Sequence, residues 1–433
     1  MATRSPLIPS AHQPGLWFAP ILHDAPEVVV EVGRGIADLR PVCVALEIAP
    51  SLAAAFRLAV ERLPACSALT FQDDEGRPFA QVVHPGCALA EAARSAMDLA
   101  VPWHAIDADL PLGTRHDDPL PEPYAVRHLG LAGLYALWAE TAPAPERSPA
   151  DVTREAVMAD RLRRLAAEGV TVAVLGWTHL AGVERALAEG APIPVHRGRV
   201  RQPLVLHLHP ESLSEVLPYA PLLNALVEVR RSLPPSAPAP APLPASSPPR
   251  GGLALLVGGR DTPLDDRVGA FSRIVDEHVV DEEAYVGVDR WRVLKGLVRE
   301  SEAAYERLTD APVAAWQLRG LDTMCAKMAA FEGRLLPDLF SLLAAARGAV
   351  DDDFAWCLLR LANHYPWQEE DAELPTTHLR AEELRMGSRT IRLERRLRRT
   401  IRRLKPMPVR RRGARDDPAG WQGAFDDPHL VSW

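Results

Sequence analysis

The stretch from Asp151 to Leu187 restricts the possible folds more than any other part of the chain. Its first part has helical periodicity. Met158, Leu162 and Leu165 form an apolar stripe, while Arg154, Glu155, Asp160, Arg161, Arg163 and Arg164 fall off it. Gly169 stands where a glycine ends such a helix. Val170 to Leu175 then runs uninterrupted and is rich in β-branched residues, the pattern of a strand buried on both faces of a parallel sheet. Gly176-Trp177-Thr178-His179 turns into a second helix. Strand, glycine turn and helix together present polar residues at the carboxyl edge of an α/β sheet, so His179 is expected at that edge.

The same alternation recurs upstream. Leu16 to Leu22 reads as a strand ending at His23, and Pro26 to Leu39 as a helix with an apolar side of Val28, Val29, Val32 and Ile36. Val42 to Ile48 is a strand of buried type that delivers Glu47 near its end, followed by a helix from Leu52 to Leu63. Ser67 to Val83 reads as a hairpin. After a helix from Leu89 to Leu99, Val101 to Ala108 forms a third strand with Asp107 and Asp109 at its end. Leu204 to Leu208 reads as a last strand and Glu211 to Arg231 as a helix. Strands alternating with helices imply parallel βαβ units. Residues 14–232 are therefore expected to form one α/β domain, with a mainly parallel sheet flanked by helices.

Residues 233–250 include PPSAPAPAPLPASSPP, which cannot build a core and reads as an extended linker. Beyond it, residues 251–370 show apolar positions at three- and four-residue spacing and are expected to form an all-α domain. In residues 371–433, Arg389 to Leu404 is predicted as a basic amphipathic helix ahead of an irregular tail. The net charge of −8 excludes a bulk nucleic-acid binder. The basic segment 389–415 by itself suits an acidic partner or nucleic acid. Five scattered cysteines with no CxxC pair, no secretory leader and no apolar run long enough to span a membrane point to a reduced, cytoplasmic protein. Nothing in the chain fixes an oligomeric state.

His23, Glu47 and His179 all fall at or just after predicted strand ends. In a parallel sheet those ends share one edge, so the three side chains can meet there. Two imidazoles and a carboxylate suit a divalent ion such as Mn, Zn, Co or Fe, which would activate a bound water. Alternatively, each is an ordinary polar residue at a strand end. His207 and His209 share a strand face, as do Asp107 and Asp109. For both pairs strand-edge polarity is the simpler reading. Asp351-Asp352-Asp353 reads as the N-terminal cluster of a helix. Gly251, Gly252, Gly258 and Gly259 match no phosphate-loop spacing.

Gly176-Trp177-Thr178-His179 resembles the GxxH motif of the TraB/PrgY and TIKI-like proteins, whose wider superfamily includes erythromycin-esterase-like and ChaN-like members. Arg154-Glu155-Ala156-Val157-Met158 is similar to the family's R-E/D-x-x-M helix, and Leu180-Ala181-Gly182-Val183 to the continuation of its second motif. His23, the strand residues Val44-Ala45-Leu46-Glu47, and Arg57 ten residues on resemble the family's amino-terminal motifs. The first motif departs in reading Pro20-Ile21-Leu22-His23, with proline in place of glycine. The resemblance covers roughly residues 15–230. It implies a metal-dependent hydrolase of peptide or ester bonds, acting on a small-molecule or peptide substrate. His23, Glu47 and His179 would be ligands or bases, supported by Arg154, Glu155 and Arg57. Two other readings stand beside it. One is a catalytically inactive module that keeps the fold. The other is an interaction protein that recruits partners through its helical carboxyl half.

Overall fold

The structure, a computed structural model, describes residues 6–72, 78–110, 120–142, 147–190, 200–232, 266–278, 287–369, 373–377, 383–386 and 389–392. It divides into two compact units. The first comprises Met1–Leu208, Tyr285–Gly287 and Glu370–Thr377. In chain order it contains β1 (Ile8–Pro9), β2 (Leu16–Ile21), α1 (Pro26–Leu39), β3 (Cys43–Leu46), α2 (Ala53–Glu61), β4 (Ser67–Gln72) and β5 (Pro78–Val83). These are followed by α3 (Ala88–Asp98), β6 (Trp103–Ala105), α4 (Val126–Thr141), α5 (Pro149–Glu168), β7 (Thr171–Gly176), α6 (Leu180–Glu189), β8 (Arg201–Leu208) and β9 (Thr376–Thr377).

One five-stranded sheet has the order β1-β2-β7-β3-β6. β2, β7, β3 and β6 run parallel, and β1 pairs antiparallel to β2 at the edge. β7, built from the β-branched run after Gly169, is central and buried along its whole length. α5 is started by Pro149 and by a capping box in which Ser148 and Asp151 bond each other's backbone N–H. Met158 and Leu162 of α5, with Leu180 and Val183 of α6, pack on Leu16, Phe18, Ala45, Ala173 and Leu175 of the sheet. Burying the leucine, valine, methionine and phenylalanine side chains among them contributes about 1.5–3 kcal/mol each. The alternate residues Val44, Leu46, Val172 and Val174 are also fully buried and face the other side, where α1 and α3 lie. Pro20 sits beyond Trp17 and Phe18, the two β2 residues that pair with β1, so its missing N–H disrupts no ladder on that side.

The strands do not form the single, mainly parallel sheet expected from the sequence. The strand at Leu204–Leu208 does not join the parallel sheet. It belongs to β8, the third member of a second sheet with the order β5-β4-β8-β9. There β4 pairs antiparallel to both β5 and β8, and β8 parallel to β9. Both sheets are therefore mixed. The physical reason is that the β4–β5 hairpin leaves β4 with a free edge, and β8 fills it.

The second unit comprises His209–Ala284, Val288–Glu369 and His378–Trp433. It contains α7 (Leu213–Val216), α8 (Pro221–Ser232), α9 (Arg267–His278), α10 (Arg290–Thr309), α11 (Ala315–Phe331), α12 (Leu339–Ala349) and α13 (Asp352–Ala362). α8 packs on α9 and α13, so the helix placed by sequence at the end of the first domain belongs to the second unit. Asp351 caps α13, accepting from the Phe354 N–H at 2.8 Å and the Tyr305 hydroxyl at 2.7 Å. The second unit is not all-α. β10 (Glu383–Met386) and β11 (Arg389–Arg392) pair antiparallel, so Arg389 to Arg392 is strand where a basic helix was predicted. The remainder of that basic segment, the Pro-rich stretch 233–250 and the glycines at 251–259 lie outside the described residues. Among the described residues no helix is long and apolar enough to cross a membrane.

Candidate functional site

Strand register brings the site together. Ile21 pairs with Gly176, and Leu46 with Val174. The ladder extends past the strands, with Trp177 N–H donating to Ile21 O at 2.9 Å and Glu47 N–H to Val174 O at 3.0 Å. The residues that follow β2, β3 and β7 therefore emerge at one edge. Gly176 is the point they surround. A Cβ on it would lie 3.1 Å from Glu47 Oε2, 3.4 Å from His23 Nε2 and 3.5 Å from His179 Cδ2. Only glycine leaves that space open. The turn is anchored by Trp177, 2 % exposed, whose ring packs against Tyr135 and Trp138 at 5.2 and 6.0 Å.

Arg154, on α5, reaches into the middle of the group. Its Nη2 donates to Glu47 Oε1 at 2.5 Å and to Asp107 Oδ2 at 2.7 Å, and its Nε donates to Asp107 Oδ1 at 2.9 Å. Its Nη1 lies 3.1 Å from His179 Nε2. A guanidinium has no acceptor, so Nε2 of His179 accepts and the ring proton sits on Nδ1. Nδ1 faces Glu155 Oε1 at 3.3 Å. Arg147 pairs with the other Glu155 oxygen. The result is a chain from Arg147 through Glu155, His179 and Arg154 to two further carboxylates. Of the five guanidinium N–H groups of Arg154, this leaves one on Nη1 uncommitted among the described residues.

Glu47 is a carboxylate kept ionised. Burial alone would raise its pKa, but the facing His179, Arg154 and His23 and a hydrogen bond from the Gly176 N–H outweigh it and hold the pKa at about 2. Arg154 is in turn held more firmly protonated by Glu47 and Asp107, against the cost of its own burial. A carboxylate with a depressed pKa contributes stability that is fully present above its unfolded value and lost as pH falls through the folded one. Glu47 is thus expected to contribute on the order of 3 kcal/mol at neutral pH, lost between pH 4.5 and about 2. Thermal melts over that window test this. Glu47→Gln should flatten the acid limb, and an unchanged slope would count against the assignment.

His23 differs from the rest. It is exposed and makes no hydrogen bond with the described residues. Its position is fixed through Asp24, which adopts the left-handed conformation at φ 62°. The buried His84 accepts the Gly86 N–H on Nδ1 at 3.2 Å, so its protonated Nε2 donates to Asp24 Oδ1 at 2.9 Å. That contact lowers the Asp24 pKa despite burial.

The structure thus brings together His23, Glu47, His179, Arg154 and Glu155, and leaves Arg57 out. Arg57 lies over the Trp103 ring at 4.6 Å, because α2 carries it along the outer edge of the sheet. Asp107, which sequence reasoning treated as strand-end polarity, is the second carboxylate on Arg154. The available signal was its place at the end of a parallel strand. Asp109 instead accepts from the Ser51 N–H and hydroxyl. His207 is held by Arg62 at 3.1 Å in the second sheet, and His209 accepts from the Glu211 N–H, so neither extends the site.

A divalent ion on His23, Glu47 and His179 would compete with bonds already made in this arrangement. Both Glu47 oxygens and the His179 Nε2 lone pair, the donors it would use, are taken by Arg154 and the Gly176 N–H. Among the described residues no group of three His, Cys, Asp or Glu that could hold a metal ion is found.

Gly182, on the first turn of α6, lies directly against Glu155. A Cβ there would overlap the carboxylate. Gly182→Ala is expected to displace Glu155, cost about 1–3 kcal/mol in urea unfolding and shift the His179 ring nitrogen resonances. Unchanged stability with unchanged resonances would show that Glu155 yields without consequence.

Comparison with protein-family models, with curated proteins and with solved structures gives no match.

Proposed function

We propose that the first unit hydrolyses an ester or peptide bond, with His23 as general base and Arg154 as the cation that meets developing negative charge. The observation that carries this reading is the convergence of His23, Glu47 and His179 around Gly176, with Arg154 locked among them. Carboxylates and cations driven far from their ordinary ionisation cluster at functional sites. His23 is the one imidazole of the group whose ring is exposed, so it can take a proton from water. The free Nη1–H of Arg154 can donate to a carbonyl oxygen as charge builds on it. Glu47 and Asp107 hold the guanidinium, and Glu155 fixes the tautomer of His179. The motif resemblance to the TraB/PrgY and TIKI-like proteins fits the same residues and belongs to this proposal.

A second reading keeps a divalent ion (Mn, Zn, Co or Fe) on His23, Glu47 and His179. What favours it is that all three side chains border one backbone position. It requires Arg154 to withdraw from Glu47 and His179.

The deciding experiment is a panel of activated esters and short peptides assayed with and without a chelator, together with metal analysis of the purified protein. The first reading expects turnover that survives chelation. Turnover abolished by chelation and restored by one ion supports the second. A folded protein that turns over no member of the panel leaves a binding module that keeps the fold without the reaction.

A further inference from the structure

A cleft on the outer edge of the five-stranded sheet is not used by the hydrolytic reading. It encloses about 300 Å³ between α2 and β6 and is lined in part by Ala53, Ala54, Arg57, Trp103 and His104. The two alanines on the first turn of α2 leave the space open. Arg57, one turn further along, is held over the Trp103 ring at 4.6 Å, while Phe56 packs edge-on against that ring at 6.0 Å. The guanidinium is exposed, and with the described residues it makes no hydrogen bond and no ion pair. His104, also exposed, makes none either. Trp103 is 7 % exposed, and its Nε1–H is buried without an acceptor.

Arg57 and His104 therefore offer donors at one cleft, Trp103 with its buried, unsatisfied N–H forms part of the wall, and no carboxylate among the described residues lines it. A buried N–H without an acceptor is costly, and an unpaired guanidinium beside it adds positive charge. Among the described residues β6 pairs only with β3, on one of its two backbone edges. Asp109, on the loop after β6, is engaged by Ser51.

We propose that this cleft binds a small oxyanion, a carboxylate or a phosphate. Arg57 is its charge partner, His104 a hydrogen-bond donor, and the Trp103 indole the wall against which it rests. The proposal stands apart from the hydrolytic site, whose charged groups lie at the strand ends.

The test is an NMR titration of protein labelled with ¹⁵N on its indoles, with the Trp103 resonance identified by its loss in Trp103→Phe. Inorganic phosphate, acetate and neutral acetamide are the probes. The expected result is a saturable shift of the Trp103 indole with phosphate or acetate and none with acetamide. In Arg57→Ala, a surface change, the dissociation constant should rise about 10- to 100-fold. Saturation by phosphate alone or by acetate alone supports the proposal and assigns the class of anion. No saturable shift with either anion overturns it, as does equal affinity in Arg57→Ala.

Discussion

Arg154→Met is expected to destabilise the first unit by about 3–5 kcal/mol at neutral pH, because one cation serves two buried carboxylates. Side-chain exposure is only 13 % for Arg154, 6 % for Glu47 and 9 % for Asp107. Methionine fills similar volume but leaves Glu47 and Asp107 charged and facing each other across an apolar group. It also removes the donor to His179 Nε2. For a unit of this size the melting temperature should fall by roughly 10 °C. The loss should shrink in acid. Without Arg154 the Glu47 carboxyl protonates at higher pH, and a neutral carboxyl costs less to bury. That pH dependence separates a charge effect from lost packing. Arg154→Lys keeps the charge, but an ammonium cannot match the fork that bonds Glu47, Asp107 and His179 together, so its loss should be intermediate. A loss below about 1 kcal/mol, or one that is the same at every pH, would mean the network contributes little to folding.

The second large effect is catalytic. His23→Ala is expected to lower hydrolysis about 10²- to 10⁴-fold while leaving the melting temperature unchanged. The imidazole is exposed and bonded to none of the described residues, so removing it strips no partner from the interior. His179→Ala should behave differently and lower both rate and stability. It leaves Glu155, 1 % exposed, and one Arg154 N–H without their shared partner, at a cost of about 1–3 kcal/mol. Parallel measurement of turnover and thermal melting on the two variants gives the split. If His23→Ala keeps its rate while His179→Ala loses it without unfolding, the base is His179 and not His23.

Much of the site was legible in the chain because its signals are local. Strand ends at His23 and Glu47, and the glycine turn before His179, follow from β-branched runs, helical periodicity and turn chemistry, each set within a few residues. Parallel pairing then forces those ends onto one edge. Arg57 misled for a related reason. Its distance along the chain from Glu47 was suggestive, but α2 turns it outward onto Trp103. β8 misled because a short apolar strand carries no mark of which sheet it joins, and an open β4 edge claimed it. Arg154 was seen only as a supporting residue, since its periodicity put it on the polar side of a helix.

By itself, then, the sequence determined the central strand, the helices that start and stop around it, and the three polar residues presented at its carboxyl edge. Tertiary structure alone decided what fills the space among them. Arg154 lies 107 residues from Glu47, 47 from Asp107 and 25 from His179. No local rule couples positions so far apart. The pairing is fixed by strand register and by the cost of leaving buried carboxylates without a cation, and both exist only once the chain has folded.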